Sequence, residues 1–210
     1  GVFLLSTLYL VQVNLLDAFR LEAATERPNL LLFDIQRDQA DGLATLVAGR
    51  GTSLRDLTPI VPARIAAING RAAAELMADT TGAAPSRWTL RREYRNTYRA
   101  EVAETERVVA GAWWGDEARA SGDGDPEPVS AGEVEPTHTG SPSLPRISLE
   151  ADLADELGVG IGDRITWDVQ GVPIETMVAN PREVDWARFV PNFFVVFAPG
   201  VLAPAPQSLI

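Results

Sequence analysis

An α+β fold is what this sequence predicts, and three stretches predict it. Leu149, Leu153 and Leu157 recur every fourth residue, the apolar stripe of an amphipathic helix. Residues 165–170 then alternate apolar and polar with a period of two, as a half-buried strand does. Near the end, residues 193–197 (FFVVF) are apolar at every position, as in a central strand covered on both faces.

Residues 2–16 are nearly all apolar, interrupted by Gln12 and Asn14. A membrane span needs about 20 apolar residues to cross the hydrocarbon, so this stretch is short. It has no initiator Met, basic n-region or small-residue cleavage site, which is not the pattern of a signal peptide. On the residues alone two readings stay open: the outer end of a transmembrane helix, or a buried or amphipathic N-terminal helix.

Beyond Arg27-Pro28, residues 29–36 (NLLLFDIQ) read as a buried strand. Asp38 can cap the helix that follows, with Leu43, Leu46 and Val47 facing inward and Gly49 as its stop. Residues 57–68 alternate loosely through Val61, Ala63, Ile65 and Ala67 but carry two prolines, which an edge strand tolerates. Asn69-Gly70 then marks a hairpin turn. The alanine-rich residues 71–79 read equally as a helix turn or a loop.

In residues 87–99, Trp88, Leu90, Tyr94 and Tyr98 interleave with Arg87, Arg91, Arg92, Arg95 and Arg99. In a basic protein this would be a nucleic-acid stripe. Here the arginines read instead as the outward face of a strand or hairpin, paired with Glu93, Glu101 and Glu104. A short apolar segment, 108–114, ends in Trp113-Trp114. Residues 115–145 hold five prolines and almost no large apolar side chain, so they bury too little to offset ordering entropy and read as a long mobile surface loop.

In the organising stretch that follows, Ser148 stands where an N-cap would stand, and Gly158, able to take a positive φ, ends the helix. After Gly162-Asp163, the inward face of the strand is Ile165, Trp167 and Val169, with Trp167 expected against Leu149, Leu153 and Leu157. Asp185-Trp186 and Phe189, ahead of Pro191-Asn192, read as a packed corner rather than a ligand cage.

The chemistry-bearing motifs are few. The chain has 18 basic and 29 acidic residues, a net charge of −11, and all its basic residues are arginine. That balance argues against nucleic acid or an anionic membrane surface as the main partner, since both are held by clustered cations. With no cysteine, disulfides and thiolate chemistry are excluded. The single histidine, His138, has no accompanying ligand type nearby and reads as an exposed loop residue. The run from Gly158 to Gly162 is only superficially a dinucleotide fingerprint, because it follows a helix and opens a strand. Asp152, Asp155 and Glu156 read as the solvated face of their helix. No G-x-S-x-G, Walker A or H-E-x-x-H sequence occurs, so no catalytic, cofactor-binding or metal-binding residue is assigned, and any ATPase must be another chain.

One resemblance extends from residue 29 to 202. NLLLFDIQRDQ, INGR at 68–71, YRNTYRAE ahead of GAWW, ISLEADLADELGVGIGDRITWDVQG and REVDWARFVPNFFVVFAPGVL resemble the FtsX-like permease family of ABC transporters, in its YbbP-type branch. The resemblance implies a two-lobed MacB-like periplasmic core domain. Residues 1–20 would be the outer end of a transmembrane helix, 21–85 with 188–210 an α+β lobe, and 86–187 a β-rich lobe that includes the loop 115–145. It further implies a bacterial inner-membrane protein whose domain lies on the extracytoplasmic, periplasmic side. Its partners would be a separate ABC ATPase subunit and, in a dimer, a second permease. The expected function is non-enzymatic: coupling ATP-driven motion of the membrane helices to a substrate or partner outside the membrane. A different class, a periplasmic binding module that captures a lipid or hydrophobic small molecule, stays open. So does a hydrolase, which would need two carboxylates about 5 to 10 Å apart in a concave pocket.

Overall fold

The computed structural model describes residues 2–24 (side chains through residue 14), 30–52, 54, 56–79, 84–114, 144–188 and 190–210. The chain divides into two units, Gly1–Leu32 and Phe33–Ile210.

The first unit is helix α1 (Val2–Ala24), longer than the apolar run that predicts it. Phe3, Leu4, Leu5, Leu8 and Tyr9 are all exposed on it. Among the described residues no helix is long and apolar enough to cross a membrane.

The second unit holds α2 (Ala40–Ala48), β1 (Pro59–Ile68), β2 (Arg71–Ala72), α3 (Ala73–Ala78), α4 (Arg87–Arg91), β3 (Tyr94–Tyr98) and β4 (Glu106–Val108). It continues with β5 (Arg146–Glu150), α5 (Ala151–Leu157), β6 (Arg164–Val169), β7 (Val172–Val184), β8 (Val195–Phe197) and β9 (Ser208–Leu209). Six of these strands close on themselves. β1 pairs antiparallel with β3, β3 parallel with β8, β8 antiparallel with β5, and β5 parallel with β7. β7 pairs antiparallel with β6, and β6 returns antiparallel to β1. The ring is a small barrel of the kind that side chains fill. β2 and β9 add to β1, and β4 adds to β7.

The mixed α and β content matches the expected class, but the strand pairing does not follow the expected lobes. β1 and β8, assigned to an α+β lobe, alternate round the ring with β3, β5, β6 and β7, assigned to a β-rich one. The loop expected over 115–145 and His138 fall almost wholly outside the described residues.

One core cluster joins the strands to the short helices. Val61, Ile65, Tyr94, Ile147, Trp167, Val195 and Phe197 pack with Leu76, Leu90, Leu153 and Leu157. The predicted alternation in β6 holds, with Ile165, Trp167 and Val169 buried between exposed or half-buried neighbours. Trp167 shares the core with Leu149, Leu153 and Leu157, and its aromatic neighbours are Tyr94 and Phe197. Outside this core, Trp113 and Trp114 pack with Phe193 and Val196. Their indoles donate to the carbonyls of Ala100 and Arg99.

Five local expectations differ from the structure, the first being Leu46, expected inward on α2 but 62% exposed. The stretch 29–36 is not a buried strand: only Ile35 bridges, to Leu209, while Leu30 and Phe33 are exposed and Asp34 turns the chain at φ 58°. Asp38 is not a cap but lies inside a 3-10 turn, Arg37–Gln39, closed by reciprocal bonds between Gln36 and Gln39. β1 is not an edge. Its prolines are tolerated because Pro59 faces β9 and Pro62 faces β3, whereas pairing with β6 begins only at Arg64. Ser148 is not an N-cap either. Ser148 and Leu149 belong to β5, held on both sides, and the cap is Glu150, whose carboxylate accepts from the Leu153 amide at 2.8 Å. The stop at Gly158 is as predicted, in the left-handed region at φ 64°.

Candidate functional site

The turn at Asn69-Gly70 and the turn at Gly162-Asp163 lock together. Asn69 Nδ2 donates to Asp163 Oδ1 at 3.1 Å, and Asn69 Oδ1 accepts from the Arg164 amide at 2.8 Å. Asp163 Oδ2 also accepts from the Gly160 amide at 2.7 Å. Both carboxylate oxygens of Asp163 are thereby used inside the protein, and the amides of Gly158, Val159, Gly160 and Gly162 all donate to protein oxygens.

Among the described residues Arg182 is the most deeply buried charge. Its Nε donates to Glu106 Oε2 at 3.0 Å, Nη1 to the Ser148 carbonyl at 2.8 Å, and Nη2 to the Phe193 carbonyl. Glu106 also accepts from Arg99. Burial holds the Arg182 guanidinium below its ordinary value, at about 10, while Glu106 pushes it back up. Because its donors are spent on backbone carbonyls of β5 and the entry to β8, this guanidinium pins strands and does not face a ligand. The expected partners of the arginine-rich segment are corrected accordingly: Arg99 pairs with Glu106, and Glu93 pairs with Arg64. That segment is a short helix followed by a strand, so its arginines do not share one outward face.

The concave surface with the most chemistry is a cleft of about 300 Å³ lined by Arg92, Glu150, Asp152, Leu153, Glu156, Trp186 and Phe194. Its wall is aromatic. The Arg92 guanidinium lies 4.2 Å from the centre of the Phe194 ring, 4.4 Å from Tyr94 and 4.7 Å from Trp88. Trp186 stacks on Phe194 from another side, with ring centres 4.8 Å apart. The floor is acidic. Glu150 is 6% exposed and spends one oxygen on the helix cap. Glu156 accepts from Ser86 at 3.1 Å and from Thr89, which ties α5 to α4.

Asp152 and Glu156 are exposed, as the solvated-face reading requires, but they share the cleft with Glu150. Asp185 turns the chain, accepting from the Ala187 amide and from Arg188, but the corner is not packed as expected, since both Asp185 and Trp186 are exposed. Phe189 lies outside the described residues. What the sequence reading missed is Arg92, Phe194 and the exposed indole of Trp186 as one surface. The interleaved arginines and aromatics of 87–99 were its signal. A second depression, about 250 Å³ along Glu104–Arg107 and Glu183–Asp185, is edged by the exposed Arg107–Glu183 pair and has no comparable wall. Among the described residues no group of three or more His, Cys, Asp or Glu could hold a metal ion.

No protein-family model matches the chain, and no solved structure does. The chain is similar to the uncharacterized ABC transporter permease YbbP of Escherichia coli strain K12, at 28% identity over 205 residues. The match covers 98% of this chain and 21% of that protein, so the chain spans about a fifth of the relative's length. The resemblance read from the sequence is thus to a part of a YbbP-like permease.

Proposed function

We propose that this chain is the extracytoplasmic domain of an ABC transporter permease subunit, coupling motion of the membrane helices to a substrate or partner outside the membrane. The observation that carries the reading is the similarity to part of YbbP along nearly the whole chain. A supporting one is the position of the ends of the second unit. The Ile35 amide donates to the Leu209 carbonyl at 3.0 Å and the Leu209 amide returns the bond at 2.7 Å. Adjacent ends are what allow a domain to be inserted between two segments of a larger protein. The exposed apolar surface of α1 supports its role as the outer end of a transmembrane helix, since apolar patches of that kind mark membrane or partner contacts.

In this reading ATP is hydrolysed on a separate subunit and the domain itself is not an enzyme. Glu150 and Glu156 fit that view because both carboxylates are engaged in hydrogen bonds that hold α5. The full-length protein would sit in the inner membrane with this domain on the periplasmic side. The chain contains no cysteine, so one introduced thiol reports alone. With Asp155→Cys in an otherwise cysteine-free full-length protein, a membrane-impermeant maleimide should label intact cells. Labelling only after the membrane is opened would overturn the placement. For the coupling itself, replacing residues 33–210 by a short linker should leave ATP hydrolysis by the partner measurable while substrate handling is lost. Unchanged substrate handling would refute it.

A further inference from the structure

We propose that the cleft between α5 and the Trp186–Phe194 ledge is a docking groove for an arginine-bearing extended segment of a partner protein. Two observations independent of each other point there. The first is the indole of Trp186, which has one ring partner, Phe194, and leaves 47% of the residue exposed at the cleft. Trp88, at the other end of the ledge beyond Arg92, is 65% exposed. Tryptophans held in place by an aromatic base yet open to solvent are the anchor type of protein interfaces.

The second is charge. Three carboxylates, Glu150, Asp152 and Glu156, line the cleft against one guanidinium, Arg92. Glu150 is 6% exposed and commits Oε2 to the helix cap, so its carboxylate keeps accepting capacity toward the cleft. A largely buried carboxylate with capacity to accept favours a charged donor arriving with the partner.

A guanidinium meets both features at once, because its plane stacks on an indole while its edge donates to carboxylates. Arg92 already shows the stacking half of this arrangement within the molecule, its guanidinium lying over Phe194 of the ledge and over Tyr94 and Trp88 beside it. The occupant is a side chain on a polypeptide rather than a free cation for a geometric reason. Asp152, Glu156 and Trp186 are exposed, so the groove is an open trough, whereas small-molecule sites enclose most of their ligand. The inference does not depend on the permease reading.

The test uses the whole chain and a fluorescein-labelled peptide of alternating leucine and arginine, followed by anisotropy. Binding should weaken roughly tenfold in Trp186→Ala, equivalent to about 1.4 kcal/mol, and stay within about threefold in Trp186→Phe. Asp152→Asn should weaken it severalfold, and the same peptide with glutamate in place of arginine should not bind. Circular dichroism of Trp186→Ala confirms that the fold is kept. Equal binding by wild type and Trp186→Ala would reduce the effect to general attraction by an acidic protein and overturn the proposal. So would no binding up to millimolar peptide, and so would butylguanidinium binding as tightly as the peptide, which would make this a small-cation pocket.

Discussion

Arg182 and Glu106 form an ion pair at 3.0 Å with both side chains almost completely removed from solvent, at 0% and 1% exposure. Removing Arg182 leaves Glu106 in the interior with Arg99 as its remaining partner and strands the Ser148 and Phe193 carbonyls, a loss on the order of 3 kcal/mol. Arg182→Met should therefore shift the urea midpoint far more than the exposed-pair variant Arg107→Met, whose bridge to Glu183 is open to water. Equal midpoints for the two variants would show that the buried network contributes nothing.

Tyr94 should make the protein sensitive to alkali. Burial holds its phenol above the ordinary value of 10.0, at about 12, with Glu156 also raising it and Arg92 opposing. A folded value above the unfolded one means a contribution present in full below pH 10 and lost as pH rises through about 12. Tyr94→Phe should flatten melting temperature against pH in that window while losing the bond from the hydroxyl to the Thr89 carbonyl, worth about 1 kcal/mol. An unchanged alkaline slope would assign it to other groups.

Trp167 is 0% exposed, and its Nε1 donates to Thr176 Oγ1 at 3.1 Å, which in turn donates to the Ile165 carbonyl at 2.9 Å. Trp167→Ala should cost about 3 to 5 kcal/mol, enough to unfold a domain of ordinary stability at physiological temperature. Thr176→Val keeps the volume but strands two polar groups, for about 1 to 3 kcal/mol. A Trp167→Ala protein melting like wild type would move this indole from core to surface.

Asp163→Ala should cost more than a single turn carboxylate does, because Asp163 serves Asn69 as well as Gly160. A double-mutant cycle with Asn69→Ala should give a coupling of about 0.5 to 1.5 kcal/mol. Additive effects would mean that the two turns fold without reference to each other.

Much of this architecture is written in local patterns. The period-two run of β6, the Asn69-Gly70 turn and the glycine at 158 each depend on nearby residues, and each was legible. What was not legible depends on partners distant in sequence. Ser148 has the chemistry of a cap, yet Ile147 and Leu149 find β7 and β8 on either side, so ladder bonds extend β5 through it and leave capping to Glu150. Residues 29–36 have the composition of a strand, but among the described residues of that stretch only Ile35 meets a partner strand. The cleft is a still clearer case: the interleaving of 87–99 points to Arg92, but Glu150 and the β7–β8 connection that holds Trp186 and Phe194 come from distant parts of the chain.

The antiparallel clasp at Ile35 and Leu209 also decides how the barrel unit answers to force. The chain enters at Ile35 and leaves at Leu209 on the same side, and β9 lies between Ile35 and β1, with Thr58 and Ile210 exchanging two more backbone bonds. Displacing both ends together loads none of these bonds, so the unit follows as a rigid body. Pulling the ends apart peels the clasp one pair at a time, an unzipping geometry that yields at low load before tension reaches the closed ring. The four backbone bonds of the clasp thus stand between a separating pull on these ends and the closed ring of strands.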